Sequence, residues 1–402
     1  MSKPVVDLSR QIASSEPVVR LLLPAVAVMF AAYLVVGLAM PVLPLHVHEE
    51  LGLNTFIVGL VAGSQFAASF ISRFWAGNHA DSRGAKHAVV IGLAVAGLAG
   101  LFYGLSLLVV HHPEMSVALL LLGRALLGGA ESFIAVGVLI WGLARVGTKH
   151  TGTVMSWVGT AMYVAFAIGA PLGNALYTRY GFIAIAAATA LVPLGALLFV
   201  APMRAIIPNA APTSRSFTKV IGAVWMPGIG LALSSIGFGA ITTFIALLFA
   251  SRGWGPAWSA FTTVSIFFVL GRLLFGHLPD RLGGAKVALI FAAIETAGQA
   301  LIWLGSMPVL VLLGCALTGF GYSLVYPGFG VEAVRGTAPE SRGLVIGAYT
   351  AFLDLALGFA NPALGLIAGV AGLGSVFLVS SLAVAGAVII ATRLLVARRA
   401  IA

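Results

Sequence analysis

Between Leu21 and Val396 the chain returns again and again to apolar stretches of about twenty residues, the length a helix needs to cross the hydrocarbon core of a bilayer. Twelve are marked, at roughly 21–45, 55–76, 88–110, 115–143, 152–178, 181–202, 221–250, 257–275, 287–305, 308–333, 343–370 and 374–396. Lipid offers no hydrogen-bond partner to an open backbone, so each stretch must satisfy its N–H and C=O groups internally and is read as a helix. Composition agrees: 60% of residues are hydrophobic and 8% charged, against roughly 25% charged in an ordinary globular chain. The expected fold class is an all-α membrane protein with twelve transmembrane helices in two pseudo-symmetric six-helix bundles.

The net charge of +10 would suggest nucleic acid in a soluble protein, so its location decides its meaning. With the N-terminus on the cytoplasmic side, nineteen Lys and Arg residues fall at inner helix ends or in inner loops. Only Arg179 and Arg252 fall outside, and Arg124 lies within a span. This is the positive-inside pattern, and it assigns the charge to the lipid bilayer rather than to nucleic acid. The polar residues 1–20 read as a cytoplasmic tail entering a retained first helix, because the run from Leu21 is too long for a signal-peptide core. Both termini are expected in the cytoplasm and the protein in a bacterial inner membrane. The single cysteine, Cys315, excludes an intrachain disulfide and a cysteine metal cluster.

The second organising feature is a repeat. Gly77 to Lys86 reads Gly-Asn-His-Ala-Asp-Ser-Arg-Gly-Ala-Lys, and 199 residues later Gly276 to Lys286 reads Gly-His-Leu-Pro-Asp-Arg-Leu-Gly-Gly-Ala-Lys. Arg73 and Arg272 each stand four residues before the first Gly, and Asp81 and Asp280 four residues after it. Duplicated halves carrying the same polar hairpin account for this spacing. The domains are accordingly a tail (1–20), an N-terminal bundle (21–202), a linker (203–219), a C-terminal bundle (220–396) and a short tail (397–402). Pro208, Pro212, Ser214 and Ser216 make the linker a tether between two mobile bundles. In the first hairpin Gly77 and Gly84 are expected to allow the turn and close helix approach, with Arg73, Arg83 and Lys86 surrounding Asp81 with positive charge.

These hairpins resemble the Gly-x-Leu-Ala-Asp-Arg-x-Gly-x-Lys loop of the major facilitator superfamily. Gly77, Ala80, Asp81, Gly84 and Lys86 match in the first copy, where His79 replaces Leu and the Arg is displaced to Arg83. Gly276, Leu278, Asp280, Arg281 and Gly283 match in the second. The resemblance implies that the loop acts as a conformational latch between the bundles while the inner side is closed. Span 5 carries Gly169-Ala-Pro171-Leu-Gly173-Asn174, similar to the Gly-Pro-x-Leu-Gly-Gly signature of the superfamily's antiporters, and span 11 carries Asn361-Pro362-Ala-Leu-Gly365. Gly169, Pro171, Gly173 and Pro362 are expected to thin and bend their helices.

Within span 4, Arg124 and Glu131 interrupt an otherwise apolar run, and at seven residues apart they share a helix face about 10 Å from each other. A charge placed mid-membrane costs at least about 2.5 kcal/mol, so both should face the bundle interior or a wet cavity. The Arg-x-x-x-Gly spacing is similar to the span-4 motif of proton-linked exporters in the superfamily. Asp354 of span 11 is the second proton-site candidate, and Glu295 of span 9 is expected to touch a neighbouring helix or head groups. Spans 1 and 10 line the family's cavity, which puts Tyr33 and Tyr322 forward as cavity residues. His46-Val-His48-Glu49-Glu50 has metal-ligand residue types but reads better as a short wet loop.

No nucleotide-binding loop, zincin motif or nucleophile elbow is present in the sequence. The reading is therefore not an enzyme and needs no cofactor and no metal. It is a monomeric secondary transporter, with protons and a small-molecule substrate as partners. The preferred form is proton-driven antiport exporting a drug, sugar or metabolite, as in the superfamily's arabinose-efflux-like permeases, which the chain resembles. The alternative is proton-coupled uptake of a sugar or organic acid, with Arg124 meeting an anionic substrate. A non-transporting sensor stands behind both.

Overall fold

In the computed structural model, which describes residues 18–147, 150–203, 205, 217–335, 337 and 342–399, twelve long helices carry the chain. They are α1 (Val18–Ala39), α2 (Thr55–Arg83), α3 (Ala85–Leu108), α4 (Pro113–Val146), α5 (Thr151–Tyr180) and α6 (Phe182–Val200). The second six are α7 (Phe217–Ser251), α8 (Trp258–Phe275), α9 (Gly284–Leu304), α10 (Pro308–Ala333), α11 (Arg342–Ala371) and α12 (Leu373–Arg399). Each contains a window apolar enough to span a membrane. Most of the linker 203–219, most of the N-terminal tail and residues 400–402 lie outside the described residues.

Helix packing repeats with a shift of six. The pairs α1 with α5, α2 with α4, α3 with α4 and α3 with α6 recur as α7 with α11, α8 with α10, α9 with α10 and α9 with α12. Between the halves, α2 packs on α11 and α8 packs on α5, the same seam generated twice. The pseudo-two-fold inferred from the repeated hairpin is thus a property of the packing itself.

The halves do not meet evenly along their length. At the end opposite the basic hairpins one apolar core joins them, running from Leu38, Val42 and Val47 through Val58 and Val61 to Ile241, Phe244, Phe261, Leu364 and Phe377. At the basic end the cores are separate. One is built on Leu22, Val89, Ile134, Trp141 and Val154, the other on Val224, Val287, Phe291, Phe329 and Val345. A further apolar cluster, with Tyr163 and Phe166 against Phe238, Phe268 and Tyr322, crosses between these ends, so the apolar packing is continuous across the halves at one end and parted at the other.

The seam between α2 and α11 is backbone against backbone. A Cβ at Gly59 would sit 2.2 Å from the Asn361 carbonyl oxygen, one at Gly63 2.7 Å from that of Gly358, and one at Gly365 2.3 Å from that of Thr55. The Thr55 hydroxyl donates to the Gly365 carbonyl at 2.7 Å. Small residues permit this approach where lipid supplies no hydrophobic drive for association. Within the first half, Gly169 and Gly173 seat α5 on α1 in the same way, a Cβ at Gly173 falling 2.1 Å from the Leu38 carbonyl oxygen. Helices α5 and α11 continue through Pro171 and Pro362.

Two local expectations are corrected. The first hairpin is not an island from Gly77 onward, because α2 runs on to Arg83 and the turn is made at Gly84 alone, with φ +98°. Nothing between Asn78 and Arg83 breaks a helix, and the Ser82 hydroxyl bonds back to the Asn78 carbonyl at 2.7 Å. Gly77 has open space where a Cβ would stand, so it brings no helix close. In the second copy the helix ends at Phe275, with Gly276 as its C-cap, and Pro279 opens a short helix, Leu278–Leu282, before the turn at Gly283, φ +85°. The segment after α1 is exposed at His48, Glu49 and Glu50, as expected, but it is not an open loop. His46 to Glu50 form a π-helical turn in which His46 is fully buried and stacked on Phe182 at 4.0 Å. Its Nδ1 meets Glu50 at 2.6 Å, and Glu50 also accepts from the Tyr177 hydroxyl. Among the described residues no three metal-binding side chains cluster.

Candidate functional site

The polar residues of α2 stand on one face, because Gln65, Ser69 and Arg73 recur every four residues and so fall on one stripe of a helix. That stripe meets α4 on one side and α11 on the other. The Gln65 Nε2 donates to Glu131 Oε1 at 2.5 Å. Ser69 and Ser132 share a hydroxyl contact at 2.9 Å, and the Ser132 hydroxyl also lies 2.9 Å from the Ser69 carbonyl. Arg73 donates through Nε at 2.8 Å and through Nη2 to the same oxygen of Asp354, which also lies 3.4 Å from the Ser69 hydroxyl. These contacts form two neighbouring sets in one polar network, Gln65 with Glu131, and Ser69 with Ser132, Arg73 and Asp354; the second set joins the halves, and among the described residues no hydrogen bond links the two.

Burial makes this network consequential. Glu131 is 6% exposed and Asp354 3%. Their partners differ in kind: Asp354 has a guanidinium, whereas Glu131 is met by an uncharged amide. A carboxyl group held by an amide can take or give up a proton without breaking an ion pair, while protonating Asp354 would strand Arg73. The two acids brought forward by the sequence therefore lie near one helix stripe, in separate sets of contacts, and are not equivalent.

Arg124, two turns from Glu131, is also buried and its Nε–H has no hydrogen-bond partner. It lines a recess of about 30 Å³ between the halves, together with Val36, Met40, Gln65, Thr242 and Thr243. The Thr243 hydroxyl and the Gln65 carboxamide oxygen are buried without partners too. Helices α1, α2, α4 and α7 close this recess, so both halves contribute to its wall.

Tyr33 and Tyr322 do not line the recess. They stand at two ends of a ring cluster that crosses the halves: Tyr33 against Phe166 at 5.7 Å, Tyr163 stacked on Phe268 at 3.4 Å, and Tyr322 beside Phe238 at 5.3 Å. Tyr33 lies within electrostatic reach of Glu131, Arg73 and Asp354. The Tyr322 hydroxyl meets Ser235 at 3.1 Å. Glu295 is fully buried inside the second half, where it accepts from the Ser234 hydroxyl of α7, so it contacts a neighbouring helix.

The hairpin residues are separated from this centre. Asp81, Arg83, Asp280 and Arg281 are exposed at the parted end, and among the described residues none makes a hydrogen bond or ion pair across the halves. Two of the three cations expected around Asp81 are engaged elsewhere. Arg73 pairs with Asp354, and Lys86 donates to the carbonyls of Ala201 and Met203 at 2.7 and 2.5 Å, which ties the turn to its own half. The reason is geometric: Arg73 lies two turns deeper in the same helix and reaches a buried acid before an exposed one.

Comparison with known proteins places this architecture. The profile of the Major Facilitator Superfamily matches residues 25–329. The chain belongs to that superfamily. An uncharacterized MFS-type transporter of Salmonella typhimurium is 40% identical over 355 residues, covering 88% of this chain and 91% of the relative. Among solved structures, a point-mutant form of the nucleoside transporter NupG superposes with a TM-score of 0.75 at 15% identity, covering 93% of this chain and 99% of NupG. The human organic anion transporter MFSD10 gives 0.71 at 14%, covering 94% and 100%. At such identities the structures speak for the fold, and this superfamily member is a multi-pass membrane transporter rather than an enzyme.

Gln65, Ser69, Ser132, Thr243 and the role of Arg73 were not singled out by sequence reasoning. The four-residue spacing of Gln65, Ser69 and Arg73 in an apolar helix was the available signal.

Proposed function

We propose that this superfamily member is a proton-coupled antiporter that exports a small organic molecule across a bacterial inner membrane, as a monomer with both termini in the cytoplasm. The observation that carries the coupling is the Gln65 to Glu131 contact: a mid-membrane carboxyl group held by an amide, one helical turn from the Ser69 contact to Asp354 of the opposite half. Glu131 carries the proton, Arg124 biases it, and the Arg73 to Asp354 pair reports it to the second half. With the basic end in the cytoplasm, the parted end opens inward and the joined core seals the outer side. Exposed Asp81, Arg83, Asp280 and Arg281 then belong to a latch that engages when the inner side closes, together with the turns at Gly84 and Gly283. The antiport sign is supported by the resemblance of Gly169 to Gly173 to the antiporter signature, whose glycines seat α5 on α1.

One observation favours a second reading. Arg124 has no acidic partner within ion-pair distance among the described residues, which suits uptake of an organic acid together with a proton.

Inverted membrane vesicles separate these readings. Substrate added to energised vesicles releases protons from the lumen under antiport, and draws them from the medium together with substrate under symport. Glu131→Gln abolishes the movement in either case while leaving the protein folded. Unchanged proton flux in that variant moves the proton to Asp354.

A further inference from the structure

Three residues that line one recess between the halves each carry a buried polar atom without a partner, and the chemistry of these atoms is complementary to a specific ligand. The Arg124 Nε–H and the Thr243 hydroxyl are donors, and the Gln65 Oε1 is an acceptor. Their residues are 7%, 1% and 1% exposed. Unpaired buried polar atoms are rare and each costs desolvation energy, so three on residues that wall one space point to a group that satisfies them. The space, about 30 Å³, exceeds the roughly 10–15 Å³ that admits a water-sized group. Guanidinium is never deprotonated in a protein, so Arg124, buried without an acidic partner among the described residues, calls for a negative charge.

We infer that the recess is a binding subsite for a small carboxylate that carries a neighbouring hydroxyl or amino group. The carboxylate accepts from Arg124 of the first half and from Thr243 of the second, and so bridges them. The neighbouring O–H or N–H donates to Gln65 Oε1. This inference rests on the proposal that Glu131 carries the coupling proton, and it adds the reason why proton and substrate exclude one another. Ionised Glu131 holds the Gln65 Nε2–H, which leaves Oε1 facing the recess. Protonated Glu131 becomes a donor and takes Oε1 for itself, turning the amide so that its N–H meets the substrate's own donor. Around Glu131 the charged and titratable groups are Arg124 of its own helix, Arg73 of α2, Asp354 of α11, Tyr33 of α1 and Tyr103 of α3. Of these, only Arg124 also lines the recess.

The test uses the full chain in lipid nanodiscs and calorimetric titration with two probe sets: D-gluconate, gluconamide and hexanoate, then L-lactate, lactamide and propionate. Binding of a hydroxy acid, loss of binding in its amide and weakening in the deoxygenated acid are expected, with affinity falling as the pH is lowered. Thr243→Val, which removes one hydroxyl at nearly constant shape, weakens the acid about tenfold. Arg124→Gln abolishes binding, and Arg124→Lys keeps part of it if the cation alone matters. Glu131→Gln binds the acid with no dependence on pH. Amides that bind as well as acids, no saturable binding by either acid, or a Thr243→Val protein equal to the parent each overturn the subsite. Should acids bind as described while substrate moves no protons in vesicles, the subsite stands and the proton-coupled function falls.

Discussion

The pair between Arg73 and Asp354 joins α2 to α11 across the halves, and its contribution can be measured. The side chains are 20% and 5% exposed. Removing one partner of a buried ion pair costs about 3–5 kcal/mol, because the other charge is left without compensation. The partial exposure of Arg73 places this pair at the lower end, so Asp354→Asn and Arg73→Gln should each destabilise the protein by about 3 kcal/mol. The double variant, with no stranded charge, should cost little more than either single change, giving a coupling energy of about 2 kcal/mol. Denaturant titration in mixed micelles, followed by tryptophan fluorescence, gives the four free energies of the cycle. Exchanging the charges, Arg73→Asp with Asp354→Arg, should recover part of the loss. Single variants that cost less than about 1 kcal/mol, or a double variant equal to the sum of its parts, would refute the reasoning and make the contact incidental.

Other perturbations address separate parts of the design. Asp81→Asn should slow substrate cycling in proteoliposomes more than it weakens binding, since Asp81 is exposed and remote from the recess; a change in affinity alone would remove it from the latch. Gly173→Ala should cost about 1–3 kcal/mol in the same titration, because its methyl would strike the Leu38 backbone. Gly77→Ala, which meets nothing, should be neutral or stabilising by up to about 1 kcal/mol. Equal effects would show that the α1 to α5 contact is looser than described. Exchange of one outgoing monoanion for one incoming proton carries two charges, so an inside-negative potential should drive export by about 4.6 kcal/mol per 100 mV. Clamping the potential with potassium and valinomycin checks this, and export indifferent to potential would contradict exchange of that stoichiometry.

The twelve helices were legible because each is long, apolar and bounded by turn residues, and the pseudo-two-fold because the hairpin repeats. Boundaries were less so: Asn78 to Arg83 look polar enough for a loop, but polarity does not end a helix when no Gly or Pro intervenes. The site was legible in part. Arg124, Glu131 and Asp354 stand out because mid-span charges are expensive, and all three are buried. The partners of the two acids were hidden, since Gln65 and Ser69 are ordinary residues whose importance comes from which helix they face. The pairing of Arg73 with Asp354 depends on how far apart two helices lie, 281 residues along the chain, and no local pattern carries that distance.

The seam where Gly59, Gly63 and Gly365 press against backbone has a bearing on speed. Two surfaces that part and rejoin in every cycle normally freeze and free the rotamers of interlocking side chains each time, at up to about 2 kcal/mol for a long one. Glycine has no rotamers to freeze. A seam of bare backbone can therefore open and shut like a zip fastener with no teeth to align. In the cycle proposed above, re-forming the Arg73 to Asp354 pair and the stack of Tyr163 on Phe268 would then be slower than closing this seam.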